Sequence, residues 1–175
     1  GAMYCGVPPA AVHVMSFFKH AADSDNGAPR MLEIDVLTHL LAAVTAHPDA
    51  VEIQQRGLLC LFNLAFDVPG VGAVAAHAAA VVDWALPLVT GPKKELQSPA
   101  AKLLGRLAAS SAGRFEILRH ADTVAMLERA SMLSMAALDQ GTPDDDDSEL
   151  SPKTLTLLGQ ELVKGVEDEA VRKAM

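Results

Sequence analysis

The sequence predicts an all-α fold, built as a helical solenoid, and three observations predict it. Half of the 175 residues are hydrophobic but only 4% are aromatic. Ala and Leu lead the composition, which suits close helix-on-helix packing better than the Val, Ile and Tyr usage of sheets. Apolar residues recur at helical spacing through most of the chain. Finally, Gly57-Leu-Leu-Cys-Leu-Phe-Asn-Leu-Ala65 is echoed 43 residues later by Ala100-Ala-Lys-Leu-Leu-Gly-Arg-Leu-Ala108, and His77 falls opposite His120 at the same offset. A period of that size marks stacked helical units, each covering an apolar face its neighbour cannot cover alone.

Taken in order, Pro8-Pro9 sets the entry to a helix whose apolar face is Val12, Val14, Phe17, Phe18 and Ala21. A polar loop from Asp23 to Pro29 ends it. The next helix carries Leu32, Val36, Leu37, Leu40, Leu41 and Val44 on one face and stops near His47-Pro48, since proline cannot continue a helix. Asp49 stands three residues before Glu52, the spacing of a capping box, and the helix it opens runs to about Phe66. Asp67-Val-Pro-Gly70 turns the chain into an Ala-rich helical stretch to Thr90, with interruptions expected around His77 and near Pro87. Gly91-Pro92-Lys93-Lys94 closes that unit. Ser98-Pro99 reads as an N-cap serine with proline in the first helical position, and Ser151-Pro152 repeats the signal.

These signals lay out one domain over residues 4–175, with units at about 8–48, 49–94, 95–141 and 150–175 and an acidic loop at 141–149. A chain of this length buries about 70% of the surface its unfolded form exposes, enough for one continuous core. Gly1-Ala2-Met3 has the look of a tag remnant.

The net charge is −8, but Asp144-Asp-Asp-Asp-Ser-Glu149 alone carries five negative charges, so the rest of the chain is nearly balanced. With no Lys/Arg run, a nucleic-acid partner is not expected. The longest apolar stretch, between Asp67 and Asp83, is cut by Pro69, Gly70, Gly72 and His77, so membrane insertion is not expected. Cys5 and Cys60 have no partner at metal spacing and fit a reducing, cytoplasmic setting. The six histidines form no HExxH and no i, i+4 pair, the acidic run lacks the central glycine of a calcium loop, and no nucleophile or phosphate-loop motif occurs. No cofactor, metal or catalytic residue is therefore expected.

The stretch from Leu40 to Asp67, with Ala46-His-Pro-Asp-Ala-Val-Glu-Ile-Gln-Gln-Arg-Gly-Leu-Leu-Cys-Leu-Phe-Asn-Leu-Ala65 at its centre, resembles the armadillo-like repeat family, and residues 98–121 resemble it again. The resemblance implies a right-handed superhelical solenoid of about four repeats. His77 and His120 occupy the place of the glycine that the family sets between its first two helices, which implies that those helices merge in units two and three. In the family the third helices line a concave groove that receives an extended or helical partner segment, and an asparagine there bonds the partner's backbone, a place that Asn63 fills. The family's tryptophan beside it is replaced by Leu59, so nuclear-signal recognition is not implied.

Carrying Leu59 and Asn63 through the units gives Met15 and Lys19, Lys102 and Arg106, and Thr156 and Gln160 as the groove stripe. A non-catalytic protein-interaction module follows, taking an acidic or amphipathic protein segment, within a larger cytosolic or cytoskeletal scaffold. Two alternatives stand beside it: self-association or intramolecular docking through the apolar 75–89 region, and an Hsp70 nucleotide-exchange cofactor by fold analogy. Thr142, Ser148 and Ser151 are candidate phosphorylation sites in the acidic loop. Trp84 is expected to pack in the core.

Overall fold

The computed structural model describes residues 9–24, 26–66, 68–120 and 123, and among them every regular element is helical. The helices are α1 (Pro9–Ala22), α2 (Gly27–Glu33), α3 (Val36–Ala46), α4 (Val51–Leu64), α5 (Val68–Ala75), α6 (Ala78–Val89), α7 (Lys94–Ala108) and α8 (Ser111–Arg119). The units' fourth member, the acidic loop and the Ser151-Pro152 signal lie outside the described residues.

Helix α1 opens at a proline, whose fixed φ suits a first turn and whose missing N–H is not needed there. It ends in a tight turn in which Ser24 Oγ donates to Ala21 O at 2.8 Å and Gly27 N donates to Ser24 O at 3.0 Å. A β-carbon on Gly27 would fall 1.8 Å from Ala21 O, so only glycine fits this approach. The helix expected from Leu32 to Val44 is in fact two, broken at Asp35. That residue sits at φ 50°, in the left-handed region, which aspartate tolerates better than most L residues. Its carboxylate accepts from Thr38 Oγ1 at 3.1 Å, holding the entry to α3.

Three further expectations are corrected. The capping box does not form: Ala50 is the N-cap of α4, and Glu52 instead pairs with Arg56 one turn on at 2.5 Å. Helix α7 starts at Lys94, so Ser98-Pro99 lies inside it, both residues buried; Leu96 joins the apolar stripe of Ala100, Leu103 and Leu107 and extends the helix N-terminally past the proline. The Ala-rich stretch is interrupted around His77, as its residues suggested, and the merging that the resemblance implied does not occur. It bends by 85° between α5 and α6, with His77 as the N-cap of α6. Pro87, by contrast, is carried within α6 without ending it.

Helices α1, α4 and α7 lie in one row, each against the next. α3 packs on α4 and α6 on α7, while α8 closes against α6 and α7. Two contacts in each pair make the row parallel: Arg56 Nη1 of α4 donates to Val12 O of α1 at 2.7 Å while Met15 packs at Gly57, and Lys93 at the start of α7 donates to Asp49 O at 3.2 Å while Arg106 near its end stacks on Phe62. The starts of α1, α4 and α7 are spaced by 42 and 43 residues, so the sequence period is also a period of helix placement.

The core runs along the inner side of this row through Leu58, Leu61, Leu64, Val81, Leu86, Leu103, Leu104 and Leu107, all buried. Gly57 marks its tightest point. A β-carbon there would meet Val44 Cγ1 at 2.6 Å, with Met15 Cε and Trp84 Cη2 each at 3.3 Å, so α1, α3, α4 and α6 converge on one missing side chain. Beside it, buried Gln54 donates to Val44 O at 2.7 Å and His47 O at 2.9 Å, and accepts from Trp84 Nε1 at 2.5 Å. One amide thereby satisfies the open carbonyl of Val44, whose usual helical donor is replaced by Pro48, adds a second bond to His47 O and takes the indole N–H. Trp84 packs half-buried against the core, as expected.

Candidate functional site

The row α1, α4, α7 presents the stripe that the sequence period picks out, and the register of its first member needs correcting. Aligned by helix start, α1 precedes α4 by 42 residues, two fewer than the offset expected from sequence. Met15 then stands level with Gly57 and Ala100. It is 2% exposed, with its Cε packed where Gly57 lacks a side chain, so Met15 belongs to the core and lines no open groove. Lys19 stands level with buried Leu61 and Leu104 and is itself half-buried, on the flank of the stripe. The residues of α1 that share the stripe are Phe17 and Ala21.

On α4 and α7, which pack on each other, Leu59, Asn63, Lys102 and Arg106 are each partly exposed. The guanidinium of Arg106 lies 5.2 Å from the ring centroids of both Phe62 and Phe66. This contact holds a flexible side chain by its flat face and leaves its five N–H donors at the edge. Among the described residues no hydrogen bond or ion pair involves that guanidinium, and none involves the Asn63 side chain.

Charge is segregated around them. The chain has 22 acidic residues, yet α1 carries none, α4 carries only Glu52 and α7 only Glu95, both in first turns. The C-terminal halves of the three helices carry Lys19, His20, Lys102 and Arg106 with no carboxylate between them. Cations in a last turn also complement the negative end of the helix dipole, which accounts in part for Lys19, His20 and Arg106.

Phe62 and Phe66 were not singled out by sequence reasoning, and Val14 and Phe17, expected on the apolar face of the first helix, are instead 49% and 67% exposed. Phe62 lies in the last turn of α4 and Phe66 just past its C-cap, and Phe66 is 72% exposed, which no sequence pattern distinguishes from a core aromatic. Thr156, Gln160, Thr142, Ser148 and Ser151 lie outside the described residues.

The apolar 75–89 region is not an outward surface. Ala78, Val81, Val82, Ala85, Leu86 and Val89 all face the core, and only Ala79, Ala80, Asp83 and Pro87 of α6 are exposed. Its composition reflects a helix wedged between α3, α7 and α8. No single helix among the described residues is long and apolar enough to cross a membrane.

Groups with chemical potential are few. Burial pushes the Cys60 thiol up to about 12, which keeps it protonated and unreactive. Among the described residues no three His, Cys, Asp or Glu side chains gather as metal ligands. His120 Nε2 and Asp83 Oδ1 approach to 3.8 Å at the α6–α8 contact, an exposed pair on the side of α6.

In comparisons with known proteins, no family model, curated protein or solved structure matches the chain.

Proposed function

We propose that this chain is a non-catalytic protein-interaction module of the armadillo-like solenoid type, in which α2–α4 and α5–α7 are complete three-helix units, α1 is the closing helix of a unit before them and α8 opens one after. The open side of the row α1, α4, α7 is its docking groove, and the ligand is a segment of another protein carrying carboxylates beside apolar side chains. One observation carries this reading: Arg106, stacked on Phe62 and Phe66, has no hydrogen bond or ion pair among the described residues, and the C-terminal halves of α1, α4 and α7 carry no carboxylate.

The physical logic is preorganisation. A guanidinium held by two rings loses little side-chain freedom when it meets a carboxylate, and its fork geometry favours a bidentate pair. Asn63 supplies a directed donor and acceptor one turn away from Leu59, and exposed Phe66 an apolar contact, a combination that suits an extended or helical segment. Long-range attraction to the basic side steers an acidic ligand and weakens with salt.

Selection from a random peptide library displayed against the intact chain tests this. Enrichment of acidic peptides with Leu or aromatic anchors is expected, with binding weakened about tenfold or more by Arg106→Glu, which removes one charge-assisted pair and adds a repulsion. Peptides without acidic enrichment, or equal binding by Arg106→Glu of unchanged helicity, would overturn the groove.

A further inference from the structure

Because α1, α4 and α7 run parallel, their C-terminal halves fall at one end of the row, and these carry Lys19, His20, Lys102 and Arg106 with no carboxylate. The chain leaves this same end of the row directly into α8. Ser110 Oγ caps α8 by accepting from Gly113 N at 3.0 Å, and Arg114 Nη1 donates at 3.0 Å to the oxygen of Ala108, the last residue of α7. Nine helical residues carry the chain only about 13 Å from that point. Thr123, the last described residue, is buried and donates from Oγ1 to Ile117 O, so the exit lies against α8.

Outside the described residues, the sequence holds a segment with the chemistry that this end of the row lacks. No lysine or arginine occurs between Arg129 and Lys153, and residues 144–149 place five carboxylates within six positions, followed directly by Leu150. The other dense acidic run, Glu167-Asp168-Glu169, lies between Lys164 and Arg172-Lys173 and is offset by them. We propose that residues 144–150 are the groove's own ligand, a cis segment whose carboxylates pair with Arg106 and whose Leu150 meets the exposed ring of Phe66. The chain thereby occupies its docking surface until an outside acidic segment displaces it. This rests on the groove assigned above and adds the regulation of that groove.

Charge complementarity and reach both favour this occupant. The guanidinium of Arg106 is stacked by its face on Phe62 and Phe66, which leaves its N–H edge for a carboxylate. A run of adjacent aspartates offers several equivalent partners, so pairing needs no single register. The 21 residues from Thr123 to Asp144 span about 30 Å if helical and about 70 Å if extended, well beyond the distance that α8 moves away. Such a tether holds the run at an effective concentration on the order of 1 mM. An exposed ion pair contributes little by itself, which keeps the contact displaceable. Even a dissociation constant of about 0.1 mM in trans then leaves the groove about nine-tenths occupied and weakens an outside ligand about tenfold.

Fluorescence anisotropy of a labelled peptide with the chain's own residues 141–151, titrated with the intact chain, reads this directly. Weak binding by the wild-type chain is expected. A neutralised chain, with Asp144→Asn, Asp145→Asn, Asp146→Asn, Asp147→Asn and Glu149→Gln, should bind about tenfold more tightly, and adding Arg106→Glu should remove that gain. Net charge is controlled by pairs: Asp146→Asn with Asp147→Asn tightens binding, whereas Glu33→Gln with Asp83→Asn, the same charge change at exposed sites on α2 and α6, does not. No peptide binding by the neutralised chain, equal affinity of wild-type and neutralised chains of equal helicity, or an equal gain from the Glu33 and Asp83 pair would each overturn the proposal. Occlusion that deepens with protein concentration would overturn it too, by assigning the run to the groove of a second copy. If library peptides still require Arg106 while neutralisation changes nothing, the groove stands and only the cis contact falls. If acidic library peptides bind without Arg106, the groove falls and this contact with it.

Discussion

Gln54 concentrates more of the fold in one side chain than its place in the sequence announces. It reads as an unremarkable polar position between Ile53 and Gln55, yet it is 1% exposed and ties α4 to the end of α3 and to α6. Gln54→Leu would fill the volume but orphan Val44 O and the Trp84 N–H, so a loss of about 1–3 kcal/mol is expected in denaturant unfolding. Trp84→Phe removes only the indole donor, and in a double-mutant cycle its effect should largely vanish once Gln54 is Leu. Arg106 makes the complementary point for function. Its charge and its place on the repeat were legible in the sequence. Its stacking on Phe62 and Phe66 was not, because an aromatic in a last turn and one just past it say nothing about which neighbouring helix meets them.

Among the elements, the parallel trio α1, α4 and α7 was written in the sequence as a period, and the breaks between helices less clearly. The division of α2 from α3 rests on one left-handed aspartate, and that of α5 from α6 on a bend at His77 where glycine was the expected signal. Neither is a strong breaker by composition; packing of both segments against the same core enforces the turn. Conversely, Pro87 and Ser98-Pro99 look like punctuation but sit inside helices whose apolar faces extend past them. Glycines sort the same way by environment. Gly57→Leu is expected to destabilise by about 1–3 kcal/mol or more, because Val44, Met15 and Trp84 already occupy the space. Gly105→Ala, with nothing within 4 Å of the new methyl, should instead stabilise by about 0.4–1 kcal/mol. Thermal melts of the two variants should therefore move in opposite directions.

For the molecule as a whole, stacking in a row makes stability a sum of neighbouring contacts, and among the described residues α1 packs on α4 and α2. Arg56 is the side chain that bonds α4 to the backbone of α1, at Val12 O. Arg56→Leu should raise amide exchange in α1 well above that in α7, while the global melt falls less, and uniform loss of protection across all helices would contradict a row of separable contacts. The sequence by itself determined the helical class, the 43-residue period and the cationic positions Lys102 and Arg106, because periodicity and charge are properties of residue order. The tertiary structure decided that Met15 is core, that the apolar face of α6 turns inward, and that Val14 and Phe17 of α1 stay exposed. Burial depends on which faces meet, and that follows from the angle and register between helices, which an amphipathic pattern leaves free.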